Sequence, residues 1–153
     1  MTKQATIRVA PTHVDTMGGD VSGLVFQKNT AFYEVTVTGA GYVDLCAFPA
    51  GTFVTEVFGQ IETELNGSGT VDIGIDSNDD AFIDNTEWTE TTADQYASSL
   101  ETTAPNGVYL PDGANLRVTA GGSPTQGVVR IAVSYFNFDL MESEFGFHNE
   151  ASI

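Results

Sequence analysis

The hydrophobic positions of the chain recur with a period of two. Between Thr52 and Leu65, the residues Phe53, Val57, Ile61 and Leu65 share one parity with Thr55, Gly59 and Thr63. The other parity carries Glu56, Gln60, Glu62 and Glu64, interrupted by Val54 and Phe58. One apolar face and one mostly acidic face predict a half-buried antiparallel strand, with room for a bend at Gly59. Asn66-Gly67-Ser68-Gly69 then turns the chain into Val71, Ile73 and Ile75, which alternate with Asp72, Gly74 and Asp76 and read as the partner strand of a hairpin.

The same alternation marks Ile7 and Val9, Tyr33 to Val37, Val43 to Ala47, Leu116 and Val118, and Val129 to Tyr135, with a weaker stretch at Val21 to Gln27. Gly, Asn and Pro separate them. The pattern predicts an all-β chain of about eight strands, a single antiparallel β-sandwich with one short helix in a long loop. The expected core is Phe53, Val57, Ile61, Val71, Ile73, Val129, Ile131 and Val133. Ser77 to Gly107 breaks the alternation. Within it, Thr92 to Leu100 predicts the helix: Thr92 and Gln95 form a capping box, and Ala93, Tyr96, Ala97 and Leu100 follow helical spacing. Residues 1–16 read as an N-terminal arm or first edge strand, 17–138 as the sandwich, and 139–153 as a C-terminal tail.

Composition narrows the function. The 153 residues hold 5 Lys plus Arg against 21 Asp plus Glu, a formal net charge of -16, which argues against nucleic acid and anionic membrane as partners. No stretch reaches the length of a membrane span, and Met1 to Thr6 leads into no secretory apolar run, so the expected site of synthesis is a cytoplasm. Lone Cys46 lies in an alternating stretch and reads as a packed side chain.

Catalytic chemistry finds little support. His13 and His148 stand near opposite ends, there is no Gly-x-Ser-x-Gly elbow, and Gly39-x-Gly41 lacks the rest of a phosphate loop. No Cys/His spacing suits zinc, and no cofactor is expected. Acidic pairs are too numerous for one to be singled out as a glycosidase pair. Asp76 to Glu87 places oxygen side chains at positions 1, 3, 5, 9 and 12 of a calcium loop, but Ala81 replaces the turn glycine. A polar loop tip is the preferred reading, with a calcium site in a β-loop as its rival. Trp88, Tyr96 and Tyr109 are candidates for an aromatic platform under sugar rings, against a plain cover over the sandwich end.

One further pattern runs from Phe48 to Tyr135. Cys46-Ala47-Phe48-Pro49-Ala50-Gly51-Thr52-Phe53-Val54 enters a long strand. Glu64-Leu65-Asn66-Gly67 turns, Val71-Asp72-Ile73-Gly74 follows, and Gly127-Val128-Val129-Arg130-Ile131-Ala132-Val133-Ser134-Tyr135 closes. This resembles small structural proteins of tailed-phage virions, of the capsid decoration or cement type. The resemblance implies a jelly-roll-like sandwich on the capsid surface, commonly trimeric, contacting the major capsid protein and its own copies. Head fibre, spike or tail component is the alternative within that group, and a calcium-dependent carbohydrate-binding module the alternative outside it. Because the chain is so acidic, attachment is expected through its less charged ends. The candidate partner-binding residues are Lys3 and Arg8 at the N-terminus and Phe145 and Phe147 in the tail.

Overall fold

The computed structural model describes residues 2–3, 7–9, 26–101 and 103–138. Eleven strands run through them: β1 (Thr2–Lys3), β2 (Ile7–Val9), β3 (Phe26–Thr36), β4 (Gly41–Phe48), β5 (Thr52–Thr63), β6 (Thr70–Ile75), β7 (Asn78–Ile83), β8 (Gln95–Ser98), β9 (Val108–Leu110), β10 (Ala114–Gly121) and β11 (Val128–Asn137). All pair antiparallel. The large sheet has the order β3-β11-β5-β8, with β1 and β2 along the free edge of β3 and β9 beside β5; the small sheet is β4-β10-β6-β7.

The pairing is nested. β3 pairs β11, β4 pairs β10, β5 pairs β8, and β6 pairs β7, so the chain behaves as one long ribbon folded over itself. Rolling that ribbon into two facing sheets gives a jelly roll, the all-β sandwich the alternation predicts. Most turns therefore cross between sheets. Asn66-Gly67 is one of them: it does not close a hairpin, because β5 lies in the large sheet and β6 in the small one. Gly67 has φ 81°, and a Cβ there would lie 2.6 Å from the Ser123 carbonyl, so the crossing needs glycine.

Seven of the eight expected core residues are buried between the sheets, each at 0–1% exposure: Val57, Ile61, Val71, Ile73, Val129, Ile131 and Val133. Phe53 is the exception. In the β5–β11 ladder, Ser134 pairs Glu56 and Tyr135 pairs Val54, leaving Thr55 as an extra residue. This bulge switches the parity of the strand, so Val54 faces the core and Phe53 faces out.

The helix expected over Thr92–Leu100 is instead an edge strand. β8 pairs Ile61 to Phe58, Ser99 N–H donates to Val57 O at 2.9 Å, and Ser99 Oγ accepts from Val57 N at 2.9 Å. Asp94, at φ 61°, turns the chain onto that edge. A nine-residue stretch has little helical stability of its own, whereas the open edge of β5 offers a full ladder.

The crossing from β7 to β8 is anchored on Val71. Trp88 Nε1 donates to Val71 O at 3.0 Å, and Glu90 Oε1 accepts from Val71 N at 3.2 Å. The Trp88 ring fills the space above Gly59, where a Cβ would lie 2.5 Å from Cζ3. Burial pushes the Glu90 carboxyl above its usual range, against the hydrogen bonds it accepts, and Asp72 is raised for the same first reason.

Two outcomes follow. Gly59→Ala should destabilise the fold by about 1–3 kcal/mol through overpacking against Trp88, read from the denaturant midpoint at unchanged m-value. A carboxyl raised by folding binds protons more readily in the folded chain. Its stabilising effect is therefore full below the unfolded value and lost as pH rises through the folded one. The melting temperature should accordingly increase from pH 7.5 to about pH 5. Glu90→Gln, which keeps an acceptor for Val71 N–H, should shrink that increase; a melting temperature that falls on acidification, or an unchanged slope in the variant, would contradict the assignment.

Candidate interaction surface

The outward positions of the large sheet follow from its register. Phe32, Ala132 and Phe58 are direct neighbours across β3, β11 and β5, with Ser98 next on β8. The adjacent row is Glu34, Arg130, Gln60 and Tyr96. Ala132 is too small to fill the space between the flanking phenylalanines. A groove of about 340 Å³ results, floored by Ala132 and walled by Phe32 and Phe58, with Glu34, Gln60 and Arg130 along it. Phe32 is 41% exposed, Phe58 39% and Tyr96 55%. The Phe58 and Tyr96 rings lie 5.7 Å apart.

A second aromatic cluster stands at the far end of the same face. The bulge at Thr55 turns Phe53 outward, opposite Phe136 on β11 and Tyr109 on β9. Phe53 lies 5.3 Å from Phe136, and Phe138 lies 4.8 Å from Phe136 and 6.2 Å from Tyr109. Exposed apolar surface of this kind, rimmed by polar groups, marks an interaction site; aromatic anchors concentrate binding energy in such sites.

The rim of the groove is acidic. Arg130 Nε donates to Glu34 Oε2 at 3.0 Å and Nη2 to Glu62 Oε1 at 3.4 Å. Gln60 Nε2 donates to Tyr96 Oη at 3.1 Å and to Asp94 Oδ1 at 3.4 Å, and Ser98 Oγ donates to Glu56 Oε1 at 3.4 Å. Two carboxylates thus bind the Arg130 guanidinium, and two more, Asp94 and Glu56, accept from the neighbouring Gln60 and Ser98. On the outer face of the small sheet, Arg117 binds Asp44 through two bonds of 2.7 and 3.1 Å and stacks over Tyr42 at 3.9 Å. That guanidinium holds the Asp44 carboxyl below its ordinary range. Such exposed pairs add little stability, but they occupy both of these arginines within the sheets.

Lys3 lies in β1 with its backbone opposite Ala31, and Arg8 lies in β2 opposite Gln27, both along the outer edge of β3. Phe145 and Phe147, like His13 and His148, fall outside the described residues. The proposed sugar platform is not assembled: Trp88 is buried in the core, and Tyr96 and Tyr109 belong to separate clusters. The Asp76–Glu87 stretch is a polar tip only at its start, where exposed Asp76 and Ser77 turn the chain from β6 into β7. Asn78–Ile83 forms β7, whose Phe82 and Ile83 are core residues, so the stretch is not the continuous loop expected to wrap an ion. Asp84 instead caps a 3-10 turn at Asn85–Glu87 by accepting from Thr86 N at 2.8 Å. Among the described residues no three His, Cys, Asp or Glu side chains converge to hold a metal. The aromatic face escaped the sequence reading, although Phe58 on an otherwise acidic parity was its signal.

No known protein family matches the chain, and no curated protein does. Solved structures do. The fold is similar to that of a chain in the cyanophage Pam1 capsid asymmetric unit, with a TM-score of 0.60 at 15% identity, covering 84% of this chain and 99% of that one. It is also similar to a chain of the "acidic stable" capsid of Helicobacter pylori bacteriophage KHP30, with a TM-score of 0.53 at 14% identity over 70% of this chain and 86% of that one. The likeness is one of fold.

Nearby positions on β5 should respond unequally to truncation. Phe58→Ser, on the outer face, should change stability by about 1 kcal/mol or less. Ile61→Ala, on the inner face, should cost about 2–5 kcal/mol. Equal losses in urea titrations would show that the outer aromatic face is part of the folded core.

Proposed function

We propose that the chain is a non-enzymatic structural protein of a phage virion, a decoration or cement protein that binds the major capsid protein and its own copies on the capsid surface. The observation that carries this reading is the jelly roll shared with the Pam1 capsid chain over 99% of that chain's length. Three features support it. The strand and turn pattern from Phe48 to Tyr135 resembles that of small virion proteins, the acidic chain disfavours packaged DNA as a partner, and its large sheet presents aromatic anchors outward. A homotrimer made in the host cytoplasm is the form we assign. Lys3 and Arg8 at the edge of β3, and Phe145 and Phe147 in the tail, complete the attachment together with the aromatic face.

The test is addition of purified protein to capsids grown without it, followed by sedimentation. Saturable binding at a fixed copy number per particle is expected, from free protein that scatters light as a trimer. Deleting Met1 to Val9, or the last twelve residues, should leave a folded sandwich with reduced occupancy. Protein that never sediments with capsids would refute the virion role.

A further inference from the structure

We infer that the groove between Phe32 and Phe58 is a docking site for a basic segment of a partner protein, one that lays an Arg or Lys stem on Ala132 and its charged head among the rim carboxylates. This rests on the reading of the chain as a protein that attaches to a partner. The floor and walls are apolar; Glu34 and Arg130 line the groove as an ion pair, and among the described side chains the charged groups in the rows around it are Glu62, Glu56 and Asp94. Lys28, also outward on β3, lies beyond Thr30 toward the Phe136 end. The groove therefore combines apolar walls with a negative balance of charge among the described side chains around it. Arg and Lys suit that combination, because their methylene stems pack on apolar surface while their heads reach polar groups. A guanidinium between Phe58 and Tyr96 would add cation–π attraction.

Charge also selects against the simplest rival occupant. A second copy of this chain brings a net charge of -16 to an already acidic rim. Like charges brought together across an interface are unfavourable, whereas opposite charges speed encounter and fix register.

The probe is a capped Gly-Arg-Leu-Arg-Gly peptide, with the Glu-for-Arg peptide as control, titrated into the full-length ¹⁵N-labelled protein. The Arg peptide should shift the amides of Phe32, Phe58 and Ala132 saturably, and weaken as salt is raised from about 50 to 300 mM. The Glu peptide should leave those amides in place. Ala132→Leu fills the groove without changing charge and should weaken the Arg peptide by about tenfold or more. The pair Glu34→Gln and Glu62→Gln keeps the groove and should weaken it while abolishing most of the salt dependence. Should Ala132→Leu fail to fold, Phe58→Ser serves as the second groove variant. Equal response to both peptides, shifts elsewhere on the surface, or undiminished binding in the groove variants would overturn the inference. Capsid sedimentation separates the two ideas: particles that bind the Ala132→Leu protein at full occupancy overturn the groove assignment and leave the virion role standing.

Discussion

β11 lies between β3 and β5 from Val128 to Tyr135, and the rest of the large sheet takes its register from it. Its inward residues, Val129, Ile131 and Val133, sit at the centre of the core. Its outward residues, Arg130, Ala132, Ser134 and Phe136, define the rows of the outer face. One irregularity in this ladder has a disproportionate effect. Phe53 and Phe58 have opposite parity, so a regular strand would bury one and expose the other. The extra residue at Thr55 lets both point outward, while Val54 and Val57 both point in. Two aromatic patches on one face are a product of that single bulge. Thr55 Oγ1 fixes it by donating to Ser134 O at 2.9 Å.

The corner before β5 is held just as specifically. Gly51, with φ 77°, turns the chain from the small sheet to the large one, and its N–H reaches Leu110 O at 3.0 Å. Asn137, at the end of β11, donates from Nδ2 to Ala50 O at 2.7 Å and to Thr52 Oγ1 at 3.0 Å. Thr52 in turn donates to Pro49 O at 2.6 Å. The Pro49-Ala50-Gly51-Thr52 stretch that suggested a virion protein is thus a structural corner. It joins the first and last parts of the ribbon beside the Phe53 cluster, and it is there for the fold before it is there for any partner.

How much of this could be read from residues alone depended on the range of the interaction involved. Alternation in Val57 to Ile61, Val71 to Ile73 and Val129 to Val133 is local, and those strands and their buried faces are where the pattern put them. Phe53 was misplaced because a bulge is defined by the partner strand and leaves no mark in its own sequence. Asn66-Gly67 looked like a hairpin because turn chemistry is the same whether the next strand pairs its predecessor or crosses to the other sheet. Thr92 to Leu100 has helical spacing, yet Tyr96 and Ala97 end on opposite faces of an edge strand, since β5 needed a neighbour there. Asp79 and Asp80 disguised β7 as a loop, because charged residues on a sheet edge are a normal protection against further pairing. The aromatic groove was hidden for the same reason as the bulge: Phe32, Ala132 and Phe58 are far apart in the chain and meet only through three strands in register.

The charge of the chain acquires a different meaning once that face is known. An evenly spread charge of -16 opposes any assembly of like copies. Here Arg117 and Arg130, the arginines whose side chains are described, are spent on cross-strand carboxylates, Arg117 on Asp44 and Arg130 on Glu34 and Glu62. The surplus acids are left to screen the surface against unspecific apolar contact, and the aromatic face can stay exposed without becoming adhesive to its own kind. A partner that brings positive charge removes that barrier at the moment it covers the aromatics. Repulsion then acts as the selectivity device and apolar burial as the source of affinity. The same arrangement makes association sensitive to whatever neutralises the rim. Salt weakens both the repulsion between copies and the attraction to a basic partner.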